Sequence, residues 1–289
     1  MCILVIGGDG QVGRAILSYL NEQNYRAIGT TRRKNKPDIY FDLLNSDYSF
    51  FENINISAVI ICASITNFAE CDRDSKVTRD INVVGTIRLL QYLANKDIYI
   101  IYISSSAVFN GKSKNLSEYE ILSPNTVYGS HKADVENFIL QSTRLRSNVA
   151  IVRPTKIVTL ENKLIYESVL SLQNSKSIAM FSDYLLSPIS IKYIQTSLFQ
   201  LLVLKIPGIF HLSGDKDMSY FDLFKKISEA IGVATTQVLP SSKLALKNQT
   251  LFDQKFPSIS MKSTSIQLGI LPQKIDSVIM DFLCGEHEK

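Results

Sequence analysis

Short apolar runs alternate with amphipathic stretches along the first half of the chain. The opening run CILVI (2–6) has no charged or strongly polar residue, which is typical of a strand buried on both faces of a sheet. A glycine turn follows, and QVGRAILSYLNEQN (11–24) then places its apolar residues on one helical face. Buried strands separated by helices predict a doubly wound, Rossmann-type α/β fold with a parallel sheet. Further strands are expected at 25–31, 58–64, 98–104 and 148–154, and further helices at 80–95 and 125–143.

The alternation loosens after Pro154, where the pattern predicts a second lobe. Residues 188–213 still contain helix and strand patterns that suit the sheet. We therefore expect a Rossmann domain over 1–155, to which 188–213 return. The segments 156–187 and 214–289 are expected to form a smaller, mostly helical C-terminal lobe that binds substrate.

The composition excludes several classes of protein. Hydrophobic residues make up 45% of the 289 residues, and the net charge of +4 lies in no long basic run, so we expect no nucleic-acid partner. No apolar run approaches the ~18 residues that a membrane span needs. The N-terminus has too few apolar residues for an export signal, so we expect a cytoplasmic protein without a membrane partner. The four cysteines and three histidines lack metal-ligand spacing, and no metal site is expected.

A glycine motif follows the first predicted strand directly. In IGGDGQVG, Gly7, Gly10 and Gly13 recur at every third residue before the helix begins. This spacing allows a tight turn, a close approach of the backbone to a pyrophosphate, and close packing of helix on strand. The helix N-terminus adds free N–H groups and the positive end of its dipole. The motif predicts a dinucleotide site; a glycine-rich turn without a ligand is the alternative.

The end of the second predicted strand distinguishes between two coenzymes. An NAD site usually carries an acid there, which binds the ribose 2′-hydroxyl. This chain has TTRR instead, and the guanidinium groups of Arg32 and Arg33 suit a 2′-phosphate. We therefore expect NADP(H). NAD(H) is the alternative, in which the two arginines belong to a solvated loop.

Two further motifs predict chemistry at this edge of the sheet. Tyr128 and Lys132 lie four residues apart in VYGSHK and so share a helical face. A tyrosine has a pKa of ~10, and an ammonium one turn away would favour the phenolate and lower that value. Reduction of a carbonyl group also needs a second hydrogen bond to its oxygen. Ser105 in ISSS (103–106) can supply it, with Ser104 as the alternative.

Together these motifs resemble the extended short-chain dehydrogenase/reductase family and, within it, the dTDP-4-dehydrorhamnose reductases and their sugar-nucleotide relatives. The glycine loop and the Ser…Tyr-x-x-x-Lys set indicate the superfamily, and HLSG followed by SYFD indicates the narrower group. The resemblance covers essentially the whole chain. The motifs that carry it are GGDGQVG (7–13), FDLLNSD (41–47), ITNFAECDRD (65–74), INVVGT (81–86), ISSSAVFNG (103–111), VYGSHK (127–132), VRPT (152–155), SPIS (187–190), GIFHLSG (208–214) and SYFDLFKKI (219–227).

The resemblance implies a role for each matching residue. It makes Tyr128 the general acid, Lys132 its partner and a ligand of the coenzyme ribose, and Ser105 the hydroxyl that binds the carbonyl. Asn82 would support the lysine through water, with a helix cap as the alternative, and Asp42 would meet the adenine, with a turn acid as the alternative. The implied coenzyme-binding residues are Gly7, Gly10, Gln11, Val12, Gly13, Arg32, Arg33, Asp42, Leu43, Ala63, Ser64, Tyr128 and Lys132, and the implied substrate-binding residues are Ser105, Ser106, Thr155 and Lys156.

The substrate pocket departs from the family pattern. Ser106-Ala107 stands where close reductases have Asp-Tyr, and Lys156 stands where many have an aromatic residue. Phe256-Pro257 replaces a late Arg-Pro pair, and the chain has no tryptophan. The resemblance therefore implies intact coenzyme and acid/base groups but leaves the sugar undetermined.

We expect an oxidoreductase that uses NADPH to reduce the 4-keto group of an NDP-deoxysugar, in deoxysugar or cell-surface polysaccharide biosynthesis. A sugar-nucleotide epimerase of the same fold is one alternative. A dehydratase is disfavoured, because the acid expected in place of Ser106 is absent. The third alternative is a non-catalytic NADP-binding regulatory protein, although such proteins often lose the tyrosine or the lysine. A homodimer is the oligomer that the resemblance implies.

Overall fold

The computed structural model describes residues 2–33, 39–44, 47–245 and 252–284, and its largest element is a seven-stranded sheet. Its strands are β1 (Cys2–Ile6), β2 (Ala27–Thr31), β3 (Ile39–Tyr40), β4 (Ile56–Ile61), β5 (Tyr99–Ile103), β6 (Val149–Pro154) and β11 (Gly208–Leu212). Every residue of β1, β5 and β6 is buried, as expected of strands covered on both faces. The parallel, doubly wound sheet predicted from the apolar runs is confirmed.

The strand order β11-β6-β5-β4-β1-β2-β3 reverses direction beside β1. The chain runs outward from β1 to β3 and then returns to β4 on the other side of β1. Val5 of β1 is accordingly paired with Gly29 of β2 and with Ile60 of β4, both in parallel. The carboxyl ends of β1, β2 and β4 thus meet at one edge, beside the crevice in which this class of sheet binds ligands.

Several helices begin at residues whose side chains satisfy one of their first N–H groups. Thr126 accepts a hydrogen bond from the N–H of Gly129 at the start of α5, and Asn67 accepts one from Glu70 at the start of α2. Among the described residues, no helix is both long enough and apolar enough to cross a bilayer. The helices are α1 (Gln11–Glu22), α2 (Phe68–Arg73), α3 (Ser75–Arg79), α4 (Thr86–Ala94), α5 (Val127–Gln141), α6 (Thr143–Arg146), α7 (Lys163–Gln173), α8 (Ile191–Leu204), α9 (Tyr220–Ala230), α10 (Lys262–Leu268) and α11 (Ile275–Cys284).

The helix expected over 80–95 is divided into two kinds of turn. Its first part, Asp80–Gly85, is a π-helix, and only the remainder is the α-helix α4. A Cβ atom at Gly85 would lie 2.5 Å from the carbonyl oxygen of Leu43, so the wide turn packs directly on backbone. π-Helical turns of this kind occur frequently at functional sites.

Two compact units divide the chain, and each has its own apolar core. The first unit comprises Met1–Phe109, Tyr119–Arg153 and Gln195–Phe210, and the second comprises Asn110–Glu118, Pro154–Ile194 and His211–Lys289. The core of the first unit includes Leu4, Val59, Leu89, Ile100 and Ile151, which lie on the strands and on α4.

The second unit contains α7, α9, α10 and α11 together with short strand pairs, in agreement with the predicted helical C-terminal portion. Its core includes Ile165, Leu172, Phe224, Ile227 and Val278 from α7, α9 and α11. The parallel pairs are β7 (Lys156–Val158) with β10 (Pro188–Ser190) and β8 (Ile178–Phe181) with β13 (Val238–Ser241), and the antiparallel pair is β9 (Leu185–Leu186) with β12 (Met218–Ser219).

Four segments expected in the Rossmann domain belong to the second unit, namely 110–118, 154–155, 188–194 and 211–213. Residues 110–118 join it because Gly111 accepts a hydrogen bond from Phe256 and Leu116 accepts one from Ser260. Residues 188–194 join it because the strand β10 pairs with β7. Local apolar patterns carry no information on such long-range pairing, which explains the difference.

Gly129 provides a test of how closely α5 packs on the turn after β5. A Cβ atom there would lie 2.1 Å from the carbonyl oxygen of Ala107. Overpacking of this kind costs about 1–3 kcal/mol, which exceeds the gain of about 1 kcal/mol from helix propensity. We expect Gly129→Ala to lower the free energy of unfolding in urea, whereas the control Asn137→Ala, at an exposed position of α5, should not. An unchanged Gly129→Ala midpoint would contradict the close packing.

Candidate active site

The loop between β1 and α1 exposes backbone N–H groups that can bind a ligand directly. Gly7 has a φ of +80°, and a Cβ atom there would lie 2.8 Å from the backbone of Ala63. At Gly13 a Cβ atom would lie 2.2 Å from the carbonyl oxygen of Gly7, so only glycine allows α1 to pack this closely on β1. Gly10 caps α1 without a side chain, which leaves the start of the helix accessible to an anion.

Gln11 and Val12, both predicted to bind the coenzyme, form the first turn of α1. Within the described part of the chain, the buried Nε2 of Gln11 has no hydrogen-bond partner. Such a buried donor is rare without an acceptor, and a phosphate oxygen at the helix N-terminus would supply one. The loop therefore fits a dinucleotide pyrophosphate, both in its backbone geometry and in this donor.

A cavity of about 240 Å³ extends from this loop along the carboxyl ends of the strands. Its lining includes most of the predicted coenzyme-binding residues, namely Gly7, Gly10, Arg32, Arg33, Asp42, Leu43, Ala63 and Ser64. Lining residues that were not predicted are Ile6, Asp9, Thr30, Thr31, Phe41, Cys62, Ile65 and Ile81. Tyr128 and Lys132 belong to the same unit but not to this lining.

Arg33 is paired with an acid that the sequence interpretation overlooked. Its Nε lies 3.3 Å from Oδ2 of Asp9, which stands inside the glycine motif. The same oxygen accepts a hydrogen bond of 2.9 Å from Oγ1 of Thr31. Arg32 is exposed and lines the same cavity. The arginines thus lie where a 2′-phosphate was expected, but one of them already has an anionic partner.

Asp42 and Leu43 reach the cavity from the residues that follow β3. The Oδ1 atom of Asp42 accepts a hydrogen bond of 3.0 Å from the N–H of Leu44. This local bond is that of a turn acid, the alternative considered for this residue. Because Asp42 also lines the cavity, its contact with an adenine stays a prediction.

Asn82 connects the π-helical turn to the loop after β4. Its Oδ1 accepts hydrogen bonds of 3.1 Å from Ser64 Oγ and 2.7 Å from the N–H of Ile65. Its Nδ2 donates a bond of 2.9 Å to the carbonyl of Ile65. Both ends of the amide therefore hold the loop that carries Ala63 and Ser64. The predicted link to Lys132 through water stays a prediction.

The three consecutive serines after β5 have different surroundings. Ser104 Oγ donates a hydrogen bond to the carboxylate of Glu136 in the interior. Ser105 begins a single 3-10 turn, where its Oγ accepts a hydrogen bond of 3.1 Å from the N–H of Ala107. Its side chain also lies close enough to the Tyr128 hydroxyl to lower the pKa of that group. Ser106 is buried within that turn. Of the two serines considered for the carbonyl-binding role, Ser105 is the one whose side chain lies near the Tyr128 hydroxyl.

Tyr128 is buried on the first turn of α5, and its ring meets that of Phe68 edge to face with centroids 5.3 Å apart. Burial raises the pKa of the phenol well above its usual value, and the nearby Ser105 side chain lowers it by less. The predicted lowering of this pKa is therefore wrong for this structure, because the loss of water on burial dominates the pKa of Tyr128. The phenol stays protonated at neutral pH.

Lys132 lies one turn beyond Tyr128, with its Nζ 5.8 Å from the centroid of the tyrosine ring. The Nζ donates a hydrogen bond of 2.8 Å to the carbonyl of Ile103 at the end of β5. Burial lowers the pKa of Lys132 to about 8, and the nearby Cys62 thiol and Glu136 carboxylate raise it by less. The Lys132 side chain is thus bound by the carbonyl of Ile103 and is still largely protonated at pH 7.

Glu136, a further turn along α5, forms a buried ion pair with Arg153 that the sequence interpretation also missed. The Oε2 atom of Glu136 lies 2.5 Å from Nη2 of Arg153, and both side chains are at most 1% exposed. The guanidinium also lies over the ring of Phe109, 5.1 Å from its centroid. One signal was available: Tyr128, Lys132 and Glu136 follow at intervals of four residues and so share one helical face.

Thr155 and Lys156, both predicted to bind substrate, belong to the second unit. The N–H of Thr155 donates a hydrogen bond of 2.9 Å to the carbonyl of Leu212. Its buried Oγ1 has no partner among the residues that the structure describes. Lys156 is exposed at the first position of β7. Their contact with a substrate stays a prediction.

Residues 1–254 match the family model of the RmlD substrate binding domain. The chain belongs to this family. Its fold is that of the dTDP-4-dehydrorhamnose reductase of Bacillus anthracis, solved in complex with NADP, with a TM-score of 0.85. The two chains are 20% identical, and the alignment covers 98% of this chain and 99% of the other.

Relatives of this RmlD-family chain carry different names. The methionine adenosyltransferase 2 subunit beta of Pongo abelii is 24% identical over 259 residues, which cover 82% of this chain and 74% of the relative. The spore coat polysaccharide biosynthesis protein SpsK of Bacillus subtilis is 25% identical over 235 residues, which cover 81% of this chain and 80% of the relative. Membership in the RmlD family therefore does not by itself determine the reaction.

The buried Lys132 of this RmlD-family chain gives a pH-dependent prediction. Its pKa is about 8 in the folded protein against ~10.4 in an unfolded chain, so the unfolded state binds more protons between these values. The wild-type lysine is therefore least favourable at neutral pH, and its cost falls as the pH rises through about 8. After allowing about 1–2 kcal/mol for the lost hydrogen bond to Ile103, we expect Lys132→Met to gain about 1–2 kcal/mol at pH 7.

Urea unfolding at pH 7 and pH 9.5 measures this effect. The gain of Lys132→Met over wild type should be smaller at the higher pH, where the lysine is deprotonated in the folded state. Lys76→Met, at an exposed position of α3, should stay close to wild type. A gain that grows with pH would show the opposite sign and exclude a depressed lysine pKa.

The Glu136–Arg153 pair gives a second stability prediction. Removing one charge of a buried pair leaves the other charge in the interior, which typically costs 3–5 kcal/mol. We expect Glu136→Gln to lower the free energy of unfolding by about 3 kcal/mol, as measured in urea at pH 7. Glu52→Gln is the matched control, because Glu52 pairs with Lys96 at the surface, and it should have little effect. Equal stabilities of the two variants would contradict a buried, ionised pair.

Proposed function

We propose that this chain is an NADPH-dependent reductase of the 4-keto group of a nucleotide-activated deoxysugar. The observation that carries the proposal is the proximity of Ser105 to the hydroxyl of Tyr128, with Lys132 one turn away, in the unit that also contains the glycine-loop cavity. A carbonyl reductase needs these groups and a coenzyme in one place. The NADP complex of the Bacillus anthracis reductase supports the choice of coenzyme.

In the proposed reaction Tyr128 protonates the oxygen of the sugar ketone. The buried phenol carries its proton at neutral pH and can therefore donate it. Ser105 would donate the second hydrogen bond to the same oxygen and so stabilise the charge that develops there. NADPH, when bound, supplies the hydride.

Lys132 would act on both partners of the reaction without transferring a proton to the substrate. Its ammonium, held by the carbonyl of Ile103, is placed to bind a ribose hydroxyl of the coenzyme and to stabilise the phenolate after proton transfer. The pyrophosphate would lie on the glycine loop, beside Nε2 of Gln11, which has no hydrogen-bond partner within the described part of the chain. Arg32 and Arg33 would hold the adenosine end.

We further propose that Ser106, Thr155 and Lys156 are among the contacts of the sugar nucleotide. A cytoplasmic homodimer acting in deoxysugar or polysaccharide biosynthesis is the setting that we propose, in line with the name of the SpsK relative. The buried Oγ1 of Thr155, which has no hydrogen-bond partner among the described residues, supports a role in holding a polar ligand.

The second candidate is a regulatory subunit, which the methionine adenosyltransferase relatives favour. Such a protein needs no acid/base groups, whereas this chain has Ser105, Tyr128 and Lys132 in contact or within one turn. An epimerase would use the same groups but would retain its coenzyme during purification. Absence of tightly bound NAD(H) in the purified protein would therefore favour the reductase over the epimerase.

Coenzyme oxidation with a panel of NDP-4-keto-6-deoxysugars tests the proposal. We expect the wild type to oxidise NADPH with at least one of them, and Tyr128→Phe to be about 10²–10⁴-fold slower, the usual contribution of a general acid. Tyr166→Phe, on the exposed face of α7, should keep wild-type activity. Full activity of Tyr128→Phe would refute the assigned role, and NADPH binding without turnover of any sugar would favour the regulatory subunit.

A further inference from the structure

The carboxylate of Asp9 lines the cavity beside the end of β2, where the ribose 2′ position of a dinucleotide is bound in this type of site. NADP(H) and NAD(H) differ only at the ribose 2′ position, which is bound at the end of the second strand in this type of site. Asp9 is joined to that strand end by the hydrogen bond of 2.9 Å from Thr31. Asp9, Thr31, Arg32 and Arg33 all line the cavity. The carboxylate and the guanidinium groups therefore face the same ligand position.

Thr31 holds the carboxylate firmly. Thr31 lies at the end of β2 and is only 1% exposed. Its Oγ1 donates a hydrogen bond to Asp9 and accepts one of 3.1 Å from the N–H of Arg33. The neighbouring backbone is joined in the same way, since the N–H of Gly8 donates to the carbonyl of Thr30 at 2.8 Å. Moving the Asp9 carboxylate away from β2 would therefore break its hydrogen bond with Thr31.

Arg33 is the less constrained member of the pair. Its side chain is 66% exposed, whereas that of Asp9 is 16% exposed, and a single oxygen–nitrogen distance of 3.3 Å joins them. A ligand can therefore displace the arginine more easily than the acid. A 2′-phosphate that binds Arg33 would take it from Asp9 and would then lie beside an uncompensated carboxylate of the same sign. A neutral 2′-hydroxyl meets no such cost, and it can donate a hydrogen bond to the carboxylate.

We propose that Asp9 sets the coenzyme preference of this chain by competing with the 2′-phosphate for Arg33. The proposal rests on the dinucleotide site of the proposed function and deepens it. The two arginines favour NADPH and the acid offsets that preference, so the wild-type protein binds NADPH and NADH with dissociation constants within about tenfold of each other. Asp9 is thereby a specificity-determining residue, although it lies in the glycine loop and not at the usual position after the second strand.

Direct coenzyme binding tests the proposal without any sugar substrate. Dissociation constants for NADPH and NADH are measured by titrating the fluorescence of each reduced coenzyme with wild-type and Asp9→Asn protein. The asparagine keeps an oxygen for the Thr31 hydroxyl and removes only the charge. We expect NADPH to bind at least about tenfold more tightly to Asp9→Asn than to wild type, a difference of about 1.4 kcal/mol. NADH should bind with unchanged or weaker affinity.

Two further variants identify Arg33 as the group released. Arg33→Met alone should weaken NADPH binding with little effect on NADH, and in the Arg33→Met background Asp9→Asn should no longer improve NADPH binding. The control Asp72→Asn removes an equal charge at an exposed position of α2, and it should leave both constants unchanged. This double-mutant comparison separates competition for Arg33 from a general effect of net charge.

The outcomes separate this inference from the proposed reaction. An Asp9→Asn preference within twofold of wild type, or a gain in NADPH affinity that persists without Arg33, would overturn the role of Asp9. Failure to bind either coenzyme would overturn it together with the proposed coenzyme site. Binding with the expected shift in preference, but without turnover of any NDP-sugar, would support the role of Asp9 and contradict only the reductase.

Discussion

Close approach of backbone to backbone is the constraint on which both the coenzyme crevice and the reactive groups depend. The carbonyl oxygen of Gly7 lies where Gly13 has no side chain, and the carbonyl of Ala107 lies where Gly129 has none. The first contact places α1 at the end of β1, and the second places α5 on the turn after β5. Interiors are close-packed, so neither contact has room for a methyl group. Two glycines, which have no reactive side chain, thus determine how closely the helices that carry the dinucleotide loop and the Tyr128 phenol pack on the sheet.

Alternating charge then makes the interior of α5 tolerable for ionised groups. A phenol, an ammonium and a carboxylate follow one another at Tyr128, Lys132 and Glu136, and the guanidinium of Arg153 ends the series from β6. Each buried charge has an opposite charge or a carbonyl as its neighbour, which is the condition under which buried charges are retained. One face of α5 therefore carries polar and charged side chains through an otherwise apolar core, and Tyr128 lies at the end of that face near the end of β5.

Features with local causes could be predicted from the sequence, and features with long-range causes could not. The strands at β1, β5 and β6 could be predicted because burial on both faces leaves uninterrupted apolar runs. The strand β3 has only two residues, and the π-turn at Asp80–Gly85 has no compositional signature. The Tyr128–Lys132 spacing indicated the site, but the pKa of Tyr128 depends on burial, which spacing does not report. The pair Glu136–Arg153 depends on contacts across 17 residues.

The adjacent serines at the end of β5 show how one strand serves two purposes. Ser105 has extended backbone angles, φ −162° and ψ 153°, and successive side chains of an extended segment point to opposite sides. Ser104 therefore contributes to stability through Glu136, while Ser105 serves the reaction surface through Tyr128. Three identical residues in a row are consequently not equivalent. A deletion of one residue before Ser104 would preserve the sequence SSS but would shift which serine faces Glu136 and which faces Tyr128. A gap at this point of an alignment would therefore change function even where the three serines are identical.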